Sequence, residues 1–177
     1  MSKATDDSPS ALGIAVLTVS DTRTEADDTS GKFLVEALQA QGHRQADKAI
    51  VSDDIYKIRA VLSRWIADET IDAVLVTGGT GFSGRDSTPE AVRPLFDKDI
   101  DGFGELFRSL SFAEIGSSTI QSRALAGFAN NTVIFCVPGS TGACRTAWTG
   151  IIKEQLDSSQ RPCNFVGVLS ISTEQHP

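Results

Sequence analysis

A glycine-rich stretch, TGGTGFSGRDSTPE at residues 77–90, contains the residue types best suited to binding phosphate. Its glycines expose backbone N–H groups and let a ligand approach the chain closely. Arg85 offers a fork of donors for phosphate oxygens, and a helix that begins near the end of the stretch would add partial positive charge. The stretch therefore predicts an anion-binding loop.

One acidic residue, Asp86, lies inside this loop and would repel a phosphate unless a divalent cation lay between them. Asp86 therefore indicates a Mg²⁺ site. An equally good interpretation is that the side chain only closes a turn or caps the following helix. The residues alone leave both interpretations open.

Two familiar nucleotide-binding motifs overlap the same glycines. Gly79, Gly81 and Gly84 spell G-x-G-x-x-G, but residues 85–88 intervene before the helix, whereas a dinucleotide fingerprint turns directly into one. Gly79 and Gly84 also have the spacing of a Walker loop, but Arg and Asp follow where Lys and a hydroxyl residue are needed. A nicotinamide oxidoreductase and a conventional P-loop enzyme are therefore disfavoured.

Strand and helix patterns alternate along the chain, which predicts the elements that position this loop. Apolar, β-branched runs predict strands at residues 12–19, 71–77 and 132–138, with a weaker one at 47–51. Helices are predicted at residues 32–42, 52–69, from 87 onward, 102–110, 118–126 and 142–156. The alternation implies an α/β fold with a largely parallel sheet covered on both faces.

Capping signals mark two of the helix starts. Ser52 or Asp53 is expected to cap the helix at 52–69. Ser87 and Glu90 have the spacing of a capping box, with a proline early in the helix.

In a parallel α/β sheet, ligands bind beyond the carboxyl ends of the strands. Three polar or glycine-rich loops leave those ends, at residues 20–31, 78–88 and 138–141. We therefore expect the functional site to form where these loops meet.

Length and composition indicate one soluble domain, because the chain has 177 residues, 40% of them hydrophobic and 22% charged. We predict a single domain at 11–170, a disordered N-terminal tail at 1–10 and a C-terminal tail at 171–177. No apolar run is long enough to span a bilayer, and the first residues lack the apolar centre of a signal peptide, so we expect a cytoplasmic protein with no membrane partner. The net charge of −7 and the lack of a basic cluster disfavour nucleic-acid binding.

Few cysteines and histidines are present to support metal or nucleophilic chemistry. Cys136, Cys144 and Cys163 form no C-x-x-C pair and are expected to be reduced thiols. With only His43 and His176 beside them, a His-ligated zinc site and Ser-His-Asp catalysis are disfavoured.

Several motifs in the chain, taken in order, resemble the MoaB/MogA family of molybdenum cofactor biosynthesis. They are TVSDTR, DDTSG, VTGGTGFSGRDSTPEAVRPLFD, GFGELFR, STIQSRALAG and VPGSTGACRTAW, within residues 12–165. PGST at 138–141 stands where the family's adenylyltransferases have a PGNP-like loop, so the resemblance is strongest to the B-type branch. It implies a three-layer α/β/α sandwich around a mostly parallel sheet. It also implies a homotrimer, sometimes paired into a hexamer, that works with other molybdenum cofactor biosynthesis proteins.

The chemistry implied by the resemblance is adenylylation of molybdopterin. Its terminal phosphate attacks the α-phosphate of MgATP and pyrophosphate is released, so ATP and molybdopterin are substrates and Mg²⁺ is the cofactor. The family's two important acids match Asp53, in VSDD, and Asp86. Both are expected to be catalytic and to hold the metal. The alternative is a non-catalytic molybdopterin-binding or carrier protein of the same pathway.

Further residues are expected to contact the substrate or the nucleotide. Ser20 and Asp21 would contact base or ribose, the loop glycines would supply amides, Glu105 would line the pterin pocket, and the 138–141 loop would bind the pterin phosphate. The predicted set is Ser20, Asp21, Gly78, Gly79, Thr80, Gly81, Arg85, Glu105, Pro138, Gly139, Ser140 and Thr141. The alternatives are a strand-to-loop turn for the first pair, an ordinary helix cap at Ser140 and a surface charge at Glu105.

Overall fold

Strands of this chain form one sheet in a computed structural model that describes residues 10–173. Within that range the strands are β1 (Gly13–Val19), β2 (Arg44–Val51), β3 (Ala73–Thr77), β4 (Lys98–Asp99), β5 (Leu125–Ala129) and β6 (Thr132–Val137). Their order across the sheet is β2-β1-β3-β6-β5-β4. Of the predicted tails, residues 1–9 and 174–177 lie outside the described range, and 171–173 form the end of a helix.

Helices connect these strands. They are α1 (Thr29–Ala40), α2 (Ile55–Ile66), α3 (Thr88–Val92), α4 (Asp101–Ile115), α5 (Thr141–Ala147), α6 (Lys153–Gln155) and α7 (Phe165–Thr173). Short 3₁₀ segments follow α3 and α4, and a π-helical turn at Trp148–Ile152 joins α5 to α6.

The sheet is mostly parallel, as the sequence predicts. β1 pairs in parallel with β2 and β3, and β3 pairs in parallel with β6. Thr77 of β3 is in register with Thr18 of β1 and with Val137 of β6, so the carboxyl ends of these strands lie at one edge. β5 and β4 continue the sheet in antiparallel pairs.

Two apolar layers cover the faces of the sheet, which confirms the three-layer fold. Alternate residues of β1 point to opposite faces because side chains alternate along a strand. Ile14 packs with Leu34 of α1 and Phe107 of α4 in one layer. Leu17 packs with Trp65 of α2 in the other layer. Because β1 and β3 are buried on both faces, their sequences are continuous apolar runs.

The helix predicted at residues 118–126 is wrong. A 3₁₀ segment occupies Gly116–Gln121, and β5 begins at Leu125. β5 returns to β6 through a two-residue turn in which Asn130 and Asn131 have φ of 43° and 69°. Asparagine tolerates this left-handed conformation, and such turns match the twist of a hairpin, so the antiparallel pairing overrides the weak helical pattern.

Candidate functional site

Three loops meet at the carboxyl edge of the parallel strands, as predicted. The Ser20 amide, just after β1, donates to Val51 O at 2.8 Å at the end of β2. The Gly78 amide, just after β3, donates to Val137 O at 3.0 Å at the end of β6. Gly139 lies so close to this loop that a Cβ there would be 3.1 Å from Gly78 Cα. The edge is therefore a junction of loops that are distant in sequence.

The glycine loop, residues 78–87, leaves β3 with two residues of positive φ. Gly78 has φ +106° and Gly79 has φ +66°, a region that favours glycine. The far end of the loop returns to the same place, because the Thr88 amide donates to Gly79 O at 2.9 Å and the Thr88 hydroxyl donates to Gly78 O at 2.8 Å. A Cβ on Gly79 would meet the Thr88 hydroxyl and would lie 2.6 Å from Asp53 Oδ2.

Asp53 is a buried carboxylate that contacts this loop from the end of β2. Ser87 of the glycine loop binds this side chain, because its amide at 3.0 Å and its hydroxyl both donate to Asp53 Oδ1. Its own amide donates to Asp21 Oδ1 at 3.1 Å. The residue is only 8% exposed, so these bonds fix its orientation.

The expected cap of α2 at Ser52 or Asp53 is wrong, since the neighbouring Asp54 takes that position. Asp54 Oδ1 accepts from the Tyr56 amide at 2.9 Å and from the Lys57 amide at 3.0 Å. These two hydrogen bonds hold the pKa of Asp54 below its ordinary value, and the bond from Lys57 has the larger effect. With Asp54 capping the helix, the carboxylate of Asp53 contacts the glycine loop instead.

Asp86 closes a turn at the far end of the glycine loop. Asp86 Oδ2 accepts from the Ser83 amide at 2.8 Å, and the Asp86 amide donates to Ser83 O at 3.0 Å. A Cβ on Gly81 would lie 2.8 Å from Asp86 Oδ2. Asp53 therefore borders Gly79 and Asp86 borders Gly81, so the two carboxylates flank the segment in which Thr80 lies between two glycines.

The capping box predicted at the start of α3 does not form. Ser87 precedes α3 but makes no side-chain bond to the helix, because its hydroxyl donates to Asp53. The carboxylate of Glu90 pairs with Arg123 instead of returning to the helix start. The helix start itself is where the sequence predicts it, at Thr88 with Pro89 in the first turn.

Arg85 is paired with Asp21 across the site. Arg85 Nε donates to Asp21 Oδ2 at 2.9 Å, and Arg85 Nη2 donates to Asp21 Oδ1 at 2.7 Å. The hydrogen bonds from Arg85 are the largest cause of the lowered pKa of Asp21. Both side chains are exposed, so an incoming phosphate could compete with Asp21 for the guanidinium. Ser20 accepts from the Thr22 and Arg23 amides at 3.2 and 3.1 Å and so forms the turn that the sequence left open.

The loop after β6 brings two helix starts side by side. Ser140 Oγ accepts from the Ala143 amide at 3.1 Å and caps α5. The Thr141 hydroxyl donates to Thr29 Oγ1 at the start of α1, at 3.1 Å. Pro138 O accepts from the Thr77 hydroxyl at 3.0 Å, which fixes this loop to the end of β3.

The predicted site residue Glu105 lies apart from these loops. It is exposed on α4, and within the described residues no hydrogen bond or ion pair joins it to the glycine loop. The structure therefore brings together the other predicted residues at the sheet edge and does not bring Glu105 into contact with them.

Comparison with known proteins decides the family. The profile of a family described as a probable molybdopterin binding domain matches residues 15–158. Molybdenum cofactor biosynthesis protein B of Escherichia coli strain K12 is 59% identical over 152 residues, which cover 86% of this chain and 89% of that protein. The chain belongs to the MoaB/MogA family of molybdenum cofactor biosynthesis proteins.

Other members of the MoaB/MogA family agree in sequence and structure. Molybdenum cofactor biosynthesis protein B of Bacillus subtilis strain 168 is 44% identical over 151 residues, or 85% of this chain and 89% of that one. A crystal structure of molybdenum cofactor biosynthesis protein B superposes with a TM-score of 0.84 at 39% identity, covering 96% of this chain and 99% of the other. The tungsten cofactor synthesizing protein MoaB from Pyrococcus furiosus gives a TM-score of 0.74 at 37% identity, covering 81% and 92%.

Mg²⁺ is the cofactor that this family implies, and the two carboxylates fit it in part. Ser87 bonds one oxygen of Asp53 and Ser83 bonds one oxygen of Asp86, while Asp53 Oδ2 and Asp86 Oδ1 accept no hydrogen bond within the described residues. Mg²⁺ is typically bound through one or two carboxylates, with phosphate oxygens and water completing its shell. Across residues 10–173, no group of three or more acidic, histidine or cysteine side chains could hold a metal. Each carboxylate therefore keeps one oxygen available to a Mg²⁺ that would arrive with a phosphate ligand.

Sequence reasoning missed the contacts by which two residues shape the glycine loop of this MoaB/MogA family member. Ser87 looked like a helix cap and instead orients Asp53. From the sequence, Arg123 could contribute charge to the site or lie on a solvated helix face; in the structure it hydrogen-bonds the loop from a segment 42 residues away. No local pattern signals either contact, because each depends on segments that are brought together only by folding.

Among the helices of residues 10–173, none has the length and apolar character that a membrane span requires.

Proposed function

We propose that this protein adenylylates molybdopterin with MgATP and releases pyrophosphate. The observation that carries the proposal is the pair of carboxylates, Asp53 and Asp86, that border Gly79 and Gly81 of the glycine loop. Membership of the family supports molybdopterin as the pterin substrate. The position of the pair at the carboxyl edge of a parallel sheet supports a ligand site there.

The proposed reaction needs no covalent nucleophile from the protein. An oxygen of the terminal phosphate of molybdopterin attacks the α-phosphorus of ATP and forms a new P–O bond. The bond from the α-phosphorus to the bridging oxygen breaks, and its electron pair leaves with pyrophosphate. Catalysis then consists of holding two anions in line and offsetting the developing charge.

Each part of the site has a proposed task in that reaction. Asp53 and Asp86 hold Mg²⁺, which when bound neutralises charge on the phosphate oxygens. The glycine loop supplies amide donors, and Arg85 exchanges its bond to Asp21 for one to phosphate. Ser20 and Asp21 are proposed to contact base or ribose. Ser140 and Thr141, at two adjacent helix starts, bind the pterin phosphate.

A second candidate is a non-catalytic protein that binds or carries molybdopterin. The bidentate pair of Arg85 with Asp21 favours it, because the arginine needed for ATP phosphates is already engaged. The description of the matching family as a probable molybdopterin binding domain is also compatible with binding alone.

We also propose that the protein works as a homotrimer, or as a hexamer of paired trimers, in the cytoplasm with other molybdenum cofactor biosynthesis proteins. Exposed apolar side chains on α4 and the 3₁₀ segment after it support a subunit interface: Phe112, Ile115 and Ile120 are 60%, 54% and 73% exposed. Light scattering of the purified chain measures the assembly directly, and a monomer would contradict the proposal.

The proposed reaction is tested by pyrophosphate release from purified protein. We expect release only when ATP, Mg²⁺ and molybdopterin are all present. Asp53→Ala and Asp86→Ala should abolish release and leave molybdopterin binding largely intact. Tight molybdopterin binding without pyrophosphate would support the carrier instead, and NADH binding would revive the oxidoreductase hypothesis.

A further inference from the structure

Arg123 lies in the segment between α4 and β5. It contacts the glycine loop on both sides of the stretch from Phe82 to Arg85. Its backbone amide donates to Thr80 O at 3.0 Å. Its guanidinium donates from Nε to Gly81 O at 2.8 Å and from Nη2 to Asp86 O at 3.0 Å. The remaining nitrogen, Nη1, pairs with the carboxylate of Glu90. Each nitrogen of the guanidinium therefore has a partner on the loop or on the helix that follows it.

The same side chain also contacts Phe82, within the loop. Arg123 Cζ lies 5.2 Å from the ring centroid of Phe82, in the range of a cation–π contact. Phe82 is 69% exposed, and this contact joins its ring to the Arg123 side chain. Arg123 thus fixes the first residue, the aromatic residue and the last residue of the segment from Gly81 to Asp86.

Guanidinium geometry explains why arginine suits this position. Its donors form a rigid planar fork, so bonding two carbonyls with it sets the spacing between them. The two carbonyls here belong to Gly81, which borders a carboxylate, and to Asp86, which carries that carboxylate. A lysine could keep the positive charge beside Glu90 but could not make the paired bonds. The side chain of Arg123 is 25% exposed, so its bonds are partly shielded from water.

We propose that Arg123 is a positioning residue that sets the conformation of the segment from Gly81 to Asp86 and thereby the placement of the Asp86 carboxylate. It acts through its bonds to the two carbonyls and is not itself assigned a contact with substrate. The expected loss of turnover on removing Arg123 rests on the proposed function, whereas the expected loss of order in the glycine loop does not. The experiment measures the two separately.

The first measurement is hydrogen exchange of the peptide that covers residues 78–88, followed by mass spectrometry. Arg123→Ala and Arg123→Lys should both raise exchange in this peptide, because each loses the fork. Arg64→Gln is the matched control, since Arg64 is a surface arginine of α2 paired with Asp47 at 3.5 Å. Guanidinium ion at non-denaturing concentration should restore protection in Arg123→Ala, and ammonium ion should not.

The second measurement is pyrophosphate release by the same variants. We expect kcat to fall by up to about a hundredfold in both Arg123 variants, because a small misplacement of a catalytic group is costly, with little change in the KM for ATP. Guanidinium should restore part of the kcat of Arg123→Ala. A variant that merely unfolds would show neither a selective kcat effect nor rescue.

Unchanged exchange at residues 78–88 in both Arg123 variants would overturn the proposal. A rise in exchange spread equally over β1 and β3 would also overturn it, because that reports general destabilisation. If Arg123→Ala does not fold, Arg123→Lys decides, since it keeps the charge and the aliphatic stem. If the wild-type protein releases no pyrophosphate, the proposed function fails while the exchange and rescue measurements still test Arg123.

Discussion

Asp53 and Ser87, 34 residues apart in the chain, are joined by two hydrogen bonds to one carboxylate oxygen. The amide and the hydroxyl of Ser87 both donate to Asp53 Oδ1. The second oxygen, Oδ2, is thereby turned toward Gly79. This contact connects the end of β2 to the end of the glycine loop and orients a buried acid at the proposed metal site.

Removing the hydroxyl in Ser87→Ala should lower pyrophosphate release without unfolding the protein. The buried carboxylate keeps the amide donor but loses the other, a loss typically worth about 1–3 kcal/mol. If that loss is expressed in the transition state, kcat falls by about fivefold to 150-fold. Ser87→Thr, which keeps a hydroxyl, should retain more activity, and the exposed Ser118→Ala should behave as wild type. Full activity in Ser87→Ala would show that orientation of Asp53 does not depend on the hydroxyl.

Two alanine substitutions in the glycine loop should differ sharply. Gly79→Ala places a Cβ against the Thr88 hydroxyl and 2.6 Å from Asp53 Oδ2, at a φ of +66°. Gly84→Ala meets nothing within 4 Å and requires no positive φ. We expect loss of pyrophosphate release and of about 1–3 kcal/mol of stability for Gly79→Ala, and near-wild-type values for Gly84→Ala. Activity assays and urea unfolding measure both, and equal behaviour of the two variants would contradict the described loop.

The strongest strands and the position of the loops could be predicted because their causes are local. β1 and β3 are continuous apolar runs, and parallel strands place their following loops at one edge. Strand β5 could not be predicted, because its sequence, LAGFA, is short and rich in small residues. Its only local signal is the asparagine turn that follows.

Side-chain pairings within the site escaped prediction for a different reason. Arg85 bonds Asp21 across 64 residues of sequence, and Arg123 bonds Asp86 across 37. These contacts depend on how neighbouring loops pack, which a pattern of residue types does not encode. The sequence could therefore place acids and arginines at the sheet edge, and only the folded chain shows which of them bond one another.

The pair of Arg85 with Asp21 predicts that Asp21→Asn tightens the binding of MgATP. Weakening the pair frees the guanidinium for phosphate, and because an exposed, water-screened pair is weak, the gain in affinity is at most about fivefold. Asp27→Asn makes the same charge change on the same loop, where Asp27 bonds Thr24 and not Arg85. Calorimetric titration of both variants measures the effect. Weaker binding by Asp21→Asn alone would instead show that the proposed contact of Asp21 with base or ribose outweighs the release of Arg85.

The buried environment of His43 predicts that the folded protein loses stability in mild acid. Its Nδ1 accepts from the Leu12 amide at 3.2 Å, while Nε2 is buried without a partner among the described residues. Burial lowers the pKa of His43, and this outweighs the opposing effects of Asp157 and Asp72. The unfolded chain therefore binds the proton more readily, so the contribution to stability is present above about pH 6.5 and is lost as the pH falls below it.

Urea unfolding of the wild-type protein and His43→Asn at pH values on both sides of about 6.5 checks this sign. The wild-type free energy of unfolding should fall with acidification by up to about 1.4 kcal/mol per pH unit more than that of the variant. Parallel pH dependence of the two proteins would exclude His43 as the cause.

The most direct test of two carboxylates acting at the glycine loop compares three isosteric substitutions. Asp53→Asn and Asp86→Asn remove the proposed metal-binding charges, whereas Asp54→Asn removes an adjacent charge but leaves a side chain that still caps α2. Measuring Mg²⁺-dependent pyrophosphate release with saturating molybdopterin, we predict loss of at least about a hundredfold for the first two and near-wild-type turnover for Asp54→Asn. Wild-type turnover in Asp53→Asn and Asp86→Asn would contradict the account.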